Sequence, residues 1–300
     1  MKKSELNDGL LFKLERTQRN VHVIWVEGKR EVLLISDLHW DNPKCDRELL
    51  KKHLDEALVR NAIILINGDA MCLMQGRFDP RGTKKDVRPE HNKGNYLDLV
   101  IEHFSDYFVP YAQNIAVIGY GNHETSVIKR LETDPMQRAV DLLNYKAKSN
   151  VQTGGYGGWV VFNFKINKSK AKEYKIKYFH GSGGGGIVTK GAINHQRLDS
   201  FIENADCIWM GHIHDQWIMR VTIEKLNSQY HTEQKDVLHI QTPSYKNEYD
   251  DGNGGFHIER GAPPKPLGGC WLQLEPVRDT DKSKGRDYYK IYARATKTDN

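Results

Sequence analysis

EVLLISDLH, residues 31–39, is an apolar, β-branched run that ends abruptly in an acid and an imidazole, Asp37 and His39. Four further runs have the same form. Residues 62–66 (AIILI) lead into Asn67-Gly68-Asp69, and Ile115–Ile118 (IAVI) leads into Gly119-Tyr120-Gly121-Asn122-His123-Glu124. Residues 173–179 lead into His180-Gly181, and Cys207–Met210 (CIWM) leads into Gly211-His212-Ile213-His214. Short apolar runs bounded in this way read as buried strands. Five strands therefore each deliver carboxylate, carboxamide or imidazole groups at their C-terminal ends, the edge where open α/β sheets bind ligands.

Outward from these runs, Arg47–Val59, Tyr96–Phe108 and Pro135–Ala147 read as helices, the first with apolar residues at helical spacing. The first half thus alternates strand and helix, the mark of an α/β layer architecture. Residues 21–26 (VHVIWV) precede the opening run across Glu27-Gly28-Lys29-Arg30, a hairpin signature. After about residue 150 the pattern changes. Residues 159–166, 173–179, 217–225, 237–242, 270–274 and 288–294 read as short, mostly antiparallel strands, with a helix at 195–204. Without an internal repeat or an interdomain linker, the expected organisation is an N-terminal arm over 1–20, carrying a short helix around residues 10–14. A single domain over 21–295 and a tail over 296–300, frayed beyond Ala295, complete it. Long loops at 75–95 and 245–269 exceed what a compact connection needs, which marks them as functional or mobile.

With 38% hydrophobic and 28% charged residues, the composition is that of an ordinary globular protein. No run approaches the roughly 18–20 consecutive apolar residues that cross a bilayer. The start, Met1-Lys2-Lys3-Ser4-Glu5-Leu6-Asn7-Asp8, has a basic pair with no apolar run behind it, so no secretory signal is expected. Cys45, Cys72, Cys207 and Cys270 lie far apart without a Cys-x-x-Cys pair. That spacing argues against a zinc ribbon or a disulfide framework and fits a reducing, cytoplasmic setting. A net charge of +5 permits an anionic substrate without demanding one.

The residue types at the strand ends point to metal chemistry. Asp and Asn supply hard oxygen donors, and imidazole suits Mn, Fe, Zn and Ni. Asp37, His39, Asp69, Asn122, His180, His212 and His214 are more donors than one tetrahedral zinc takes, but they match two metals sharing a bridging carboxylate. Glycines 68, 121, 181 and 211 let the backbone turn sharply beside them.

Asp-x-His, Gly-Asp, Gly-Asn-His-Glu, His-Gly and Gly-His-x-His, in this order over residues 37–214, resemble the calcineurin-like metallophosphoesterase superfamily. The resemblance implies a two-sheet β-sandwich flanked by helices, an α/β (α+β sandwich) fold. It implies that Asp37, His39, Asp69 and His214 hold one metal and Asp69, Asn122, His180 and His212 the other, with Asp69 bridging. His123 would stand beside the metals as a catalytic residue without binding them, and Glu124 would orient it. Glu124 stands where an Asp is commoner, and Ala70-Met71-Cys72-Leu73 replaces the Asp-x-x-Asp-Arg of the protein phosphatases, which weighs against a phosphoprotein substrate.

The expected activity is that of a dinuclear metal-dependent phosphoesterase. Two divalent ions, manganese favoured over Fe, Zn or Ni, would bind the phosphate oxygens and lower the pKa of a bridging water, whose hydroxide attacks phosphorus. A phosphodiester of DNA, RNA or a nucleotide is favoured, as in a nuclease. A phosphomonoesterase acting on a small metabolite, a nucleotide or a phosphoprotein is the first alternative, and a non-catalytic scaffold the second. Arg77, Arg81, Lys84 and Lys85, in the basic loop after Asp69, are the candidate substrate contacts. Gly181–Gly186 also fits Gly-x-Gly-x-x-Gly, but the candidate acid, Asp206, precedes its strand rather than closing it. The dinucleotide reading therefore yields to one in which the glycines pass close to the metals and a bound phosphate.

Overall fold

The structure, a computed structural model, describes residues 10–73, 86–167, 169–249, 258, 261–281 and 286–299. In chain order its strands are β1 (Lys13–Gln18), β2 (Val21–Glu27), β3 (Arg30–Ile35), β4 (Ile63–Ile66), β5 (Ile115–Ile118), β6 (Gln152–Thr153) and β7 (Gly157–Lys165). They continue with β8 (Ala171–Phe179), β9 (Cys207–Met210), β10 (Trp217–Leu226), β11 (Thr232–Gln241), β12 (Cys270–Asp281) and β13 (Arg286–Lys297). The helices are α1 (Arg47–Val59), α2 (Tyr96–Phe108), α3 (Asn122–Leu131), α4 (Pro135–Ala147) and α5 (Ala192–Asp199). One sheet has the order β1-β2-β7-β8-β9-β11-β10 and the other β13-β12-β3-β4-β5-β6.

The apolar runs alternate between two cores. On β3, Val32 and Leu34 point between the sheets, among Phe162, Phe164 and Trp209. Leu33 and Ile35 point the other way, among Leu50, Leu54, Phe104 and Leu143 of α1, α2 and α4. The same split divides Ile63 and Leu65 from Ile64 and Ile66 on β4. On β9, Cys207 and Trp209 face between the sheets while Ile208 and Met210 face outward with Leu198 of α5. A strand covered on both faces must be apolar at every position, which is why these runs lack polar alternation. The expected two-sheet sandwich flanked by helices is the architecture found. All four cysteines are buried free thiols.

Local signals account for the helix starts. Asp46 accepts the Leu49 N–H at 2.9 Å to cap α1, and Asp134 accepts the Gln137 N–H ahead of Pro135 to cap α4. Several expectations need correction. Residues 13–18 form a strand rather than part of a short helix, because Leu14 and its neighbours pair with β2, the true hairpin partner. Glu27-Gly28-Lys29-Arg30 is no hairpin: β2 pairs in parallel with β7 in one sheet, and β3 in parallel with β4 in the other. The turn carries the chain from layer to layer. The helix expected at 195–204 is α5, which starts and ends earlier, at Ala192 and Asp199. The chain remains in strand to Lys297, and Thr298 is buried against Gly269, so the fraying expected beyond Ala295 is not found among the described residues, which end at Asp299.

Of the two long loops, Arg77, Arg81, Lys84 and Lys85 lie outside the described residues. Arg88 of the first loop is committed to structure, donating to the carbonyls of Asn42 and Cys45 at 3.0 Å each. Tyr245, the first residue of the second, is fully buried with its hydroxyl 2.8 Å from His53 Nδ1, so it belongs to the core.

Candidate metal centre

The five strand ends meet at one edge of the sandwich. Backbone hydrogen bonds continue the sheets into the loops: Asp37 N–H donates to Gly68 O, His39 N–H to Asp69 O and Gly211 N–H to His180 O, each at 3.0 Å. Asp37, His39, Asp69, His212 and His214 all adopt positive φ, between 46° and 73°. Non-glycine residues rarely do so, and each such residue stores of the order of 1–3 kcal/mol of strain. Residues two apart share a face of an extended chain, and through these kinks Asp37 and His39, and His212 and His214, still serve one pocket.

Glycine is required where the loops touch. A Cβ on Gly121 would fall 2.0 Å from Asp69 Oδ1, and one on Gly211 would fall 2.5 Å from Asp37 Oδ2. The glycine-rich stretch after His180 is less uniform than expected. Gly181 lies tight against His212, but Gly183 and Gly184 face open space.

Two triads of donors result. Asp37, His39 and His214 offer ligand atoms within 4.8 Å of one another, and so do Asp69, His180 and His212. His39 Nε2 is 3.4 Å from His214 Nε2, which is 3.5 Å from Asp37 Oδ1. His180 Nε2 lies 3.3 Å from Asp69 Oδ2 and 3.9 Å from Asp37 Oδ1, which ties the triads together. Asn122 begins α3 directly behind Gly121, beside Asp69, whose Oδ1 accepts the His123 N–H at 2.9 Å. Asp37, His39, Asp69 and His180 are buried, whereas Asn122, His123, His212 and His214 are partly exposed, so the pocket opens on their side.

These donors fit divalent cations. Asp37 Oδ1 is buried and has no hydrogen-bond partner, although Oδ2 accepts the His212 N–H at 2.8 Å. His180 Nδ1 must donate to the Asn67 carbonyl at 2.9 Å, which leaves Nε2 as the atom facing the two carboxylates. A histidine fixed in this way by a backbone carbonyl has the usual form of a metal ligand. Electrostatics agree. Burial alone would lower the His180 pKa, but Asp69 and Asp37 lift it to about 10. Burial disfavours the Asp69 carboxylate, yet His180 and His123 outweigh burial and hold its pKa well below the usual range. His39 is driven well down, by burial and then by His123. The pocket thus has strong demand for positive charge. Cys72 also offers a donor atom near His39 and His123, but burial pushes its thiol well up.

His123 and Glu124 are both in the pocket, and the Glu124 carboxyl binds backbone there. Burial, and then Asp69, raise its pKa to about 8, and its oxygens accept the N–H groups of Asp69 at 3.2 Å, Met71 at 3.0 Å and Gly121 at 2.8 Å. It therefore joins the two loops and starts α3, a helix that the motif-bearing segment did not announce. The His123 ring is held by the Cys72 carbonyl, which accepts from Nδ1, leaving Nε2 3.8 Å from Asp69 Oδ2.

Supporting residues had no signal in the sequence. Gln241 donates to Gly211 O at 2.7 Å, and its Oε1 accepts from Nε2 of fully buried His195 at 3.3 Å. Burial, and then the neighbouring His239, push the His195 pKa down to about 3. The unfolded chain takes up a proton near pH 6.5 and the folded one does not, so stability is complete above that pH and falls as pH drops from there toward 3. At about 1.4 kcal/mol per pH unit, this residue removes about 2 kcal/mol by pH 5. Urea denaturation at pH 7.5 and pH 5 checks this: His195→Gln should lose about 2 kcal/mol less than the parent on acidification. Equal losses would contradict it.

Residues 31–216 match the calcineurin-like phosphoesterase family. No curated protein matches the chain. Among solved structures it is similar to Chaetomium thermophilum Vps29, at 10% identity over 90% of this chain and 100% of that one, with a TM-score of 0.32. It is similar to the Thermotoga maritima protein TM1076, at 11% identity over 88% of this chain and 99% of that one, with a TM-score of 0.30. A third likeness is to GAP50, the anchor in the inner membrane complex of Plasmodium, at 11% identity over 91% of this chain and 90% of that one, with a TM-score of 0.41.

Proposed function

The chain belongs to the calcineurin-like phosphoesterases, and from that premise we propose that it is a dinuclear metal-dependent phosphodiesterase acting on nucleic acid or a nucleotide. The observation that carries this reading is the meeting of the two donor triads, with His123 beside them. Asp37, His39, Asp69 and His214 hold one divalent ion, and Asp69, Asn122, His180 and His212 hold the other. Their oxygen and imidazole donors suit manganese, with Fe, Zn and Ni as competitors. Bound there, the pair supplies Lewis acidity toward phosphoryl oxygens and a water nucleophile at neutral pH.

The protein's own part is positioning and proton transfer. Asp37 and Asp69 set the negative field that draws the ions and are themselves held by backbone N–H donors. His123, with Nδ1–H committed to the Cys72 carbonyl, presents Nε2 on the open side; as the imidazolium it gives the Nε2 proton to the departing oxygen and is left as the neutral Nδ1–H tautomer. A positioned general acid is worth roughly 10²–10⁴-fold.

A diester carries one negative charge where a monoester carries up to two. Lys246 and Lys265, near the pocket, are each paired with a carboxylate, Glu248 and Asp215. Residues 70–73, where protein phosphatases carry their arginine motif, are buried and apolar or thiol-bearing. Both features favour the smaller charge. Purified protein with Mn²⁺, offered bis-p-nitrophenyl phosphate, p-nitrophenyl phosphate and labelled DNA, should prefer the diesters. Preference for the monoester would replace the diester reading by a phosphomonoesterase. Inactivity on all three with two metals verified as bound would leave a scaffold.

A further inference from the structure

We propose that Asp41 is a positioning residue for catalysis, holding the general acid His123 through the backbone of Cys72. The proposal rests on the role given to His123 above and concerns a residue two positions beyond His39 in the Asp37-Leu38-His39-Trp40-Asp41 stretch.

Asp41 is buried at 1% exposure, and three donors converge on its carboxylate. The N–H of Cys72 donates to Oδ1. The N–H of Leu73 and the Tyr96 hydroxyl both donate to Oδ2 at 2.9 Å. Leu73 itself is kinked, with φ of 50°. From the opposite side Glu124 accepts from Asp69 and Met71. Two buried carboxylates thus grip four of the five successive N–H groups from Asp69 to Leu73. The remaining residue, Ala70, is tied through its carbonyl to the Trp40 N–H at 3.0 Å.

The division between the two carboxylates is informative. Glu124 fixes the end of the loop that carries Asp69. Through the Leu73 N–H, Asp41 fixes the peptide whose carbonyl receives His123 Nδ1–H, and through the Cys72 N–H the peptide before it. Because a carbonyl only accepts, that contact keeps a proton on Nδ1 and turns Nε2 to the pocket as the nitrogen that gains and gives the exchanging proton, and it sets the plane of the ring. Carboxylate-to-N–H bonds are among the stronger ones, so the Cys72 peptide is held more firmly than an ordinary loop peptide. The Tyr96 hydroxyl, kept protonated by burial and by Asp41, completes the carboxylate's coordination.

A group that acts only through a general acid has a recognisable signature. Protonation matters when the leaving oxygen is a poor one and hardly matters when it is p-nitrophenolate. Metal-loaded Asp41→Asn should therefore lose roughly 10- to 100-fold in kcat on thymidylyl-thymidine, part of the general-acid contribution. It should lose far less on bis-p-nitrophenyl phosphate, with KM and metal content as in the parent. Tyr96→Phe, a milder change for the case in which Asp41→Asn folds poorly, should move in the same direction by less. Equal losses on both substrates, or none on the dinucleotide, would overturn the proposal.

His123→Asn separates this idea from the reading it rests on. Should that variant cleave the dinucleotide at the parental rate, the acid assignment fails by itself. The ¹⁵N shifts of the His123 ring in the metal-free protein then decide the role of Asp41. A protonated Nδ1 in the parent and a mixed tautomer in Asp41→Asn support it, and identical ring shifts in the two proteins overturn it.

Discussion

Replacing Asp69 by asparagine should strip both metals from the protein and reduce activity to background. Asp69 sits where the two triads meet, 3.3 Å from His180 and 3.8 Å from His123, and the residue is only 2% exposed. The carboxamide would keep one oxygen for the His123 N–H but remove the charge, and with it the shared donor that brings two cations close together. Losing a partner one step removed from the metal usually costs about 10- to 100-fold in affinity, and a shared ligand should cost more. Removing a single donor to the transition state costs about 10²–10³-fold in rate. With the metals lost, the reduction should be at least that large. Elemental analysis after reconstitution and dialysis reads the first effect, and turnover of bis-p-nitrophenyl phosphate reads the second. Two equivalents of metal retained in the variant would remove Asp69 from its bridging place.

The second large effect separates chemistry from metal binding. His123→Asn should keep the parental metal content and lose roughly 10²–10⁴-fold in kcat on substrates with alkoxide leaving groups, the contribution of a general acid. The expectation follows from the ring's setting. Its Nδ1 is committed to a backbone carbonyl, its backbone N–H supports Asp69, and its side chain is 12% exposed on the open face. The backbone N–H of the variant still supports Asp69, so metal binding survives while proton transfer does not. A near-parental rate on dinucleotide would end the acid assignment, and joint loss of metal and rate would recast His123 as part of the metal cradle.

Much of this molecule is legible in its linear sequence. The bounds of α1, α2, α4, β5 and β9 agree with the runs read there, because each of these elements has its apolar pattern and stop signals in adjacent residues. The misread segments are those in which distant partners override local pattern. β1 is too polar to advertise a strand and exists because β2 offers it an edge. The 27–30 turn looks like a hairpin, yet β2 and β3 have apolar demands that different sheets satisfy. α3 begins within a loop-like motif because Glu124 caps it from inside the pocket.

The candidate site divides along the same line. The linear order of Asp37, His39, Asp69, Asn122, His123, His180, His212 and His214 follows from chemistry written at strand ends, where each short motif is contiguous. Hydrogen bonds that join residues 30 to 53 positions apart are written nowhere in that order. That Asp41 grips Cys72, that Glu124 ties loops together, and that Gln241 steadies Gly211 are consequences of two sheets closing on one another. Donor types are a property of side chains, and the chain carries them into any conformation. Which lone pair faces a cation, and which carbonyl turns an imidazole, exists only once packing has fixed the backbone.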